Sequence, residues 1–307
     1  MEANGVKRFL IAFLAFLNIL FLMLYFYEYR SSEYIGADYV NSAVKNLSER
    51  GIAVSSDIFV THMPENKASS LMKDKNGDDG RRVSDSLVAY TLGNTDTRSV
   101  ELETPDGISI TYYDGNEEFS HIQLAKTFYE KNSFYFEYVD NRYANKAQAP
   151  EEKYNVFSSD VSYDDRQLLS RVVSCFGSGK SFGSRISGCE SYEDGTVFTL
   201  IQTLDGADIF GMYINVLVWN GEILSVKGSW IPVDTDKKYD YAITDSINAV
   251  YSLDLSDVTE IVSENRVYIL KRVNENKYYL LPAWEIVYAD SEGKLKSEIV
   301  ESLAEKN

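Results

Sequence analysis

Residues 9–27, Phe-Leu-Ile-Ala-Phe-Leu-Ala-Phe-Leu-Asn-Ile-Leu-Phe-Leu-Met-Leu-Tyr-Phe-Tyr, run for 19 positions without a formal charge, and no later stretch of the 307-residue chain repeats the pattern. A helix of that length is about 28 Å long, close to the hydrocarbon thickness of a bilayer. The expectation is a single transmembrane helix. Lys7 and Arg8 precede the run, whereas Glu28 and Arg30 follow it with no positive excess. The positive-inside rule then puts residues 1–8 in the cytoplasm and everything after residue 27 outside, in the cell membrane's exterior compartment. A cleaved signal peptide is the competing reading. Its apolar core usually spans only about 7–15 residues and ends in small ones. This run ends instead in Tyr25-Phe26-Tyr27-Glu28-Tyr29-Arg30, and no cysteine follows to accept a lipid.

Beyond the run the chain is polar and acidic, with 47 Asp and Glu against 30 Lys and Arg in the whole sequence. Phosphate binding needs clustered basic side chains, so no nucleic acid is expected as a partner. A basic protein partner or cations suit the charge better. The remaining length supports two ordinary domains, and 23 Tyr with 15 Phe supply apolar material for strand-rich cores. Cys175 and Cys189 lie fourteen positions apart across a Gly- and Ser-rich stretch. An oxidising exterior could link them, and two free, buried thiols are the alternative. A structural zinc site needs a third and fourth ligand, and His62 and His121 are far away in sequence.

The pass along the chain gives an α+β fold class. Tyr39, Val40, Ala43, Val44 and Leu47 recur at helical spacing up to a glycine cap at Gly51. Residues 52–54 and 58–60 have strand composition, 67–82 is a polar loop, and strands are expected at 83–92, 98–103 and 108–114. The segment 141–154 breaks the pattern and marks a boundary. The order then repeats, with a helix over 164–176 and strands at 187–192, 196–203, 208–219 and 222–231. Asn220-Gly221 is a strong two-residue hairpin signal between the last two. A helix over 241–253 precedes strands at 258–272 and 277–289. The expected organisation is a cytoplasmic stretch 1–8, a transmembrane helix 9–27, and two α+β domains over 31–145 and 155–290. A polar tail over 291–307 completes it, and each domain is an antiparallel sheet with helices packed on one face.

Four features together resemble a known family. They are Lys7-Arg8 followed by residues 9–20, the helix running into Leu47-Ser48-Glu49-Arg50-Gly51-Ile52-Ala53-Val54, the late helix-to-strand passage, and Leu281-Pro282-Ala283-Trp284-Glu285-Ile286. Their order and the chain length are similar to those of the YycI-type regulatory proteins. With YycH-type companions, these modulate the WalK sensor histidine kinase of the WalK/WalR two-component system in low-GC Gram-positive bacteria. The resemblance implies a non-enzymatic, membrane-anchored regulator of cell-wall metabolism without a cofactor. It also implies regulation through the transmembrane helix, packed beside those of the kinase and the YycH-type partner. Helix association in lipid rests on packing and interhelical hydrogen bonds, so mid-span Asn18 is the first candidate contact. Ile11, Leu14, Phe21, Leu22 and Tyr25 share its face at spacings of three, four and seven.

Other motifs carry less. Gly177-Ser178-Gly179-Lys180-Ser181 resembles the end of a phosphate-binding loop, but position 174 is Ser and a helix precedes it. Asp74-Lys75-Asn76-Gly77-Asp78-Asp79-Gly80 echoes a calcium loop with Asp79 where glycine is required. No Gly-x-Ser-x-Gly elbow accompanies His62 or His121. Trp284 lies within an apolar strand and reads as a core or domain-interface residue, an exposed partner contact being the alternative. The alternative function is a membrane-tethered module that binds a wall polymer or a secreted protein without signalling.

Overall fold

The computed structural model describes residues 35–59, 67–72, 78–93, 95–115, 122–131, 133–143, 161–177, 182–192, 195–240 and 244–301, with Phe13, 16–21 and Met23. Its helices are α1 (Ala37–Glu49), α2 (Asp78–Leu92), α3 (Tyr163–Cys175) and α4 (Ser246–Tyr251). Its strands are β1 (Lys67–Met72), β2 (Thr97–Glu103), β3 (Gly107–Asp114), β4 (Gln123–Glu130), β5 (Tyr135–Asp140), β6 (Phe182–Tyr192) and β7 (Gly195–Leu204). They continue with β8 (Ala207–Trp219), β9 (Glu222–Ser229), β10 (Lys237–Asp240), β11 (Val258–Arg272), β12 (Lys277–Asp290) and β13 (Leu295–Glu301).

Contacts divide the chain into two units, and the division does not fall between 145 and 155. The larger unit comprises Lys67–Asp240 and Arg266–Ala283, the smaller Met1–Asn66, Tyr241–Asn265 and Trp284–Asn307. Each is assembled from separated stretches of sequence. The long strands β11 and β12 each contribute one part to each unit.

The larger unit is built on antiparallel neighbours in the order β2-β3-β4-β5-β9-β8-β7-β6, with β6 paired, among the described residues, to β7 alone. Strand alternation sends one set of side chains to a single buried face. Ile108, Ile110 and Tyr112 of β3, Phe136 and Tyr138 of β5, Ile214, Val216 and Val218 of β8, and Phe198 and Leu200 of β7 meet there. Helix α2 covers this face with Val83, Leu87, Val88 and Leu92, and α3 with Leu169 and Val172. Two phenols within the layer are hydrogen-bonded, whereas the buried Trp230 Nε1 has no partner among the described residues. Tyr138 Oη lies 2.6 Å from Thr91 Oγ1, and Tyr112 Oη donates to Asp85 Oδ1 at 2.8 Å. Burial pushes both phenols well above their ordinary range. On the far side of β8, Asp208 and Ile209 pair in parallel with Val267 and Tyr268 of β11, and β1 lies between β12 and β10. A second cluster gathers Leu71, Ile209, Tyr268, Tyr278 and Leu280.

In the smaller unit α1 buries Val40, Ala43 and Leu47 at helical spacing and ends as its sequence predicts, with Gly51 at φ +82°. Those residues pack with Ile52, Ile247, Val250, Ile261, Trp284 and Ile286. Asp245 caps α4 by accepting from the Asn248 amide at 2.8 Å.

Three expectations change. Strand predominates, and the parallel β8–β11 pair departs from purely antiparallel domains. Residues 67–72 and 83–92, read as loop and strand, are strand β1 and most of helix α2, while the tail expected over 291–307 contains β13. No helix among the described residues is long and apolar enough to cross a membrane. Within 9–27 the longest described stretch is 16–21, against the roughly 20 residues that a bilayer requires. The predicted transmembrane helix and the single-pass placement built on it therefore find no support in the described helices. The rest of that run lies outside the described residues.

Candidate functional site: a groove beside an edge strand

Helix α3 begins where Ser162 accepts the Asp165 amide at 3.1 Å, and its first turn carries Asp164 and Asp165, the favourable sign for a helix start. The cap fixes where the helix begins, and the spacing of its apolar residues decides which face meets the sheet. Leu169 and Val172 go into the core, while Arg166, Leu169, Ser170 and Val173 form a wall at spacings of three, four and seven. The opposite wall is β6, from Ser184 to Cys189, with Leu200 of β7 at the floor. Between them lies a groove of about 680 Å³.

Among the described residues no strand pairs with the second edge of β6. Its pairing with β7 shifts between Ile186 and Gly188, so that Ser187 is an extra residue. The bulge reverses the alternation of faces. Ile186 pairs with Leu200 and Cys189 with Phe198, both on the core face. Arg185, Gly188 and Glu190 pair with Ile201, Thr199 and Val197 and take the other face. Two arginines border the groove, and each has a structural bond. Arg185 Nε donates to Asp208 Oδ1 at 2.7 Å, a second bond joins the same guanidinium to Oδ2, and Arg166 Nε donates to the Val161 carbonyl at 3.2 Å.

The two cysteines flank this region without bonding. Both are free. The Cys175 thiol closes α3 facing α2, 3.6 Å from the Ser86 carbonyl, whereas Cys189 sits on β6. The disulfide that the spacing allowed is not present, and both thiols pack separately against the larger unit's core. Burial pushes the Cys175 thiol up to about 11, and burial, with the nearby Asp165 carboxylate, raises that of Cys189. Thiolate is the reacting form, so both should alkylate slowly at pH 8, Cys175 more slowly than Cys189. Timed iodoacetamide labelling of the native protein read by peptide mass spectrometry checks this, and equal, fast labelling of both would contradict the burial.

Other predicted residues are not brought together. Asn18 and Phe21 are helical and exposed, while Ile11, Leu14, Leu22 and Tyr25 lie outside the described residues, as do His62 and His121. Gly177 follows a helix, and Ser178 to Ser181 lie outside. Asp78, Asp79 and Gly80 open α2 rather than a loop. Among the described residues no group of three or more His, Cys, Asp or Glu side chains could hold a metal. Trp284 is buried in the smaller unit's core and its Nε1 donates to the Thr244 carbonyl at 2.9 Å.

Two features escaped sequence reasoning. Gln202 is fully buried and acts as a substitute strand, with Nε2 donating to the Ile231 carbonyl at 3.0 Å and Oε1 accepting its amide at 2.9 Å. The open edge of β6 is the other. The strand order exposes it, and its Gly-, Ser- and charge-containing sequence, more polar than that of its paired neighbour β7, is the composition of an edge strand.

No family model matches the chain, and no curated protein does. Among solved structures, it is similar to the crystal structure of an uncharacterized protein from Eubacterium rectale, with a TM-score of 0.49 and 9% identity, over 83% of this chain and 88% of that one.

Proposed function

We propose that this chain is a non-enzymatic regulator that acts by direct protein contact on a sensor histidine kinase controlling cell-wall metabolism, beside a YycH-type partner. One observation carries the reading. The two segments that carry the resemblance to YycI-type proteins, 47–54 and 281–286, lie more than 200 residues apart, yet Leu47 and Ile52 of the first pack in one core with Trp284 and Ile286 of the second. Motifs that meet in a core are signatures of a fold, and the fold's exposed edges and groove suit contact better than chemistry. Buried charges in the larger unit also have structural work, as where Arg142 holds the fully buried Asp140 through bonds of 2.7, 3.1 and 3.2 Å. The test is removal of the gene from its host and measurement of phosphorylated response regulator. A severalfold change that the full chain restores is expected. Unchanged phosphorylation overturns the proposal.

The groove favours a second reading, a module that binds a wall polymer or secreted protein without signalling. Cosedimentation of the purified chain with isolated wall, together with unchanged regulator phosphorylation, would establish it instead.

A further inference from the structure

About its Ser187–Gly188 centre β6 is complementary to itself: a serine mirrors a serine, an apolar side chain a thiol, and an arginine a glutamate. On the core face the order is Ser184, Ile186, Cys189, Ser191, and on the opposite face Arg185 and Glu190 stand at equal distances from the Ser187–Gly188 centre. Without the bulge, positions 185 and 190 would lie on opposite faces; with it they share one. Such a strand is its own complement under a two-fold axis, because a residue i that meets j on the partner also has j meeting i.

We infer that the open edge of β6 pairs antiparallel with β6 of a second copy of this chain, centred on Ser187 and Gly188. In this register Arg185 stands opposite Glu190 of the partner subunit, and the contact occurs twice. Opposite charges across adjacent strands favour this register over its slips, which would place Arg185 away from a carboxylate. On the core face Ile186 stands opposite Cys189 of the partner subunit, and Ser184 opposite Ser191 of the partner subunit. The backbone N–H and C=O groups of the open edge gain partners, and a continuous sheet removes two exposed edges. The groove between α3 and β6 is roomy enough to take side chains that the second strand brings to that face. The bonds from Arg185 to Asp208 are kept, since a guanidinium has five donors and can serve two carboxylates. The inference names a second copy as occupant of the groove's open edge and does not depend on the kinase reading, because pairing is assayed without the kinase.

Ile186→Cys tests the register in the full chain. Under copper-phenanthroline oxidation the introduced thiol and Cys189 of the partner subunit each lose a proton, and together they give two electrons to the oxidant as the S–S bond forms. The expected product is a band at twice the 34.8 kDa monomer mass on a non-reducing gel that disappears on reduction, with peptide mass spectrometry placing the bond between positions 186 and 189. Glu190→Arg added to Ile186→Cys sets like charges opposite and should cut the crosslinked fraction severalfold. Adding Arg185→Glu as well should restore it. If Ile186→Cys fails to fold by circular dichroism, the Ser184→Cys, Ser191→Cys double variant reports the same register through another opposed pair. A folded variant that stays monomeric overturns the inference, as does crosslinking that joins other positions. Protection of these thiols only by an extended peptide, with no dimer, would show a peptide strand on this edge and likewise overturn it.

Discussion

Replacing Gly228 by alanine should prevent the larger unit from reaching a stable native state. Gly228 lies in β9 at φ +146°, between Ile214 of β8 on one side and Phe136 of β5 on the other. A Cβ added there would fall 2.2 Å from the Tyr213 carbonyl oxygen and 2.9 Å from Ile214 Cα. Both are backbone atoms of a neighbouring strand, so no rotamer change relieves the contact. The conformation alone costs about 1–3 kcal/mol for a residue with a side chain, and the clash adds to it. A domain's net stability is only about 5–15 kcal/mol, so a loss of this size removes much of it. Gly206→Ala is the matched control. Gly206 also has positive φ, +81°, but no heavy atom lies within 4 Å of its added Cβ. It should lose only about 1–2 kcal/mol. Soluble yield and thermal melting of the two variants decide the matter, and equal stability would show that β8 and β9 can separate at Gly228 without cost.

Trp284→Ala carries the second large effect, in the other unit. The side chain is 2% exposed and packs with residues of α1, α4 and β11. Removing a buried tryptophan costs about 3–5 kcal/mol in lost burial and cavity. The half-buried Thr244 carbonyl also loses its indole donor. Trp284→Phe keeps much of the ring and gives up the hydrogen bond, so it should cost much less, with about 1 kcal/mol for the missing bond. Denaturant unfolding gives the magnitudes. Hydrogen exchange gives the place, with loss of protection in α1 and α4. An exposed partner contact at Trp284 would instead leave stability within about 0.5 kcal/mol and protection unchanged.

Much of the local structure was legible because the forces that specify it are local. Asn220-Gly221 announces its hairpin since the turn needs positive φ at both positions, and they have +49° and +77°. Gly51 marks the end of α1 for an equally short-range reason, whereas the Ser162 cap of α3 emerged only in the structure. The helix α2 was misread from its composition. Val83, Val88, Tyr90 and Thr91 favour strands, yet Val83, Leu87, Val88 and Leu92 are spaced for a buried helix face, and burial against the sheet prevails. Strand β1 offered still less. Ser69 and Ser70 are fully buried in it, and Lys-Ala-Ser-Ser-Leu-Met becomes a strand because β10 and β12 pair with its two edges.

The candidate site shows the same limit at a larger scale. Arg166, Leu169, Ser170 and Val173 share a face by helical geometry, so one wall of the groove is implicit in the order of residues. Nothing in that order says that Ser187 bulges, or that Arg185 and Glu190 thereby share a face. By itself the sequence determined the turns, the glycine cap of α1, most strand positions and the acidic character of the chain. The tertiary structure alone decided which edges stay open, how 47–54 meets 284–286, and why the two cysteines stand apart. Turns and caps depend on the dihedral preferences and hydrogen bonds of a few neighbouring residues, whereas strand order and burial depend on which distant segments compete for the same edge and the same core.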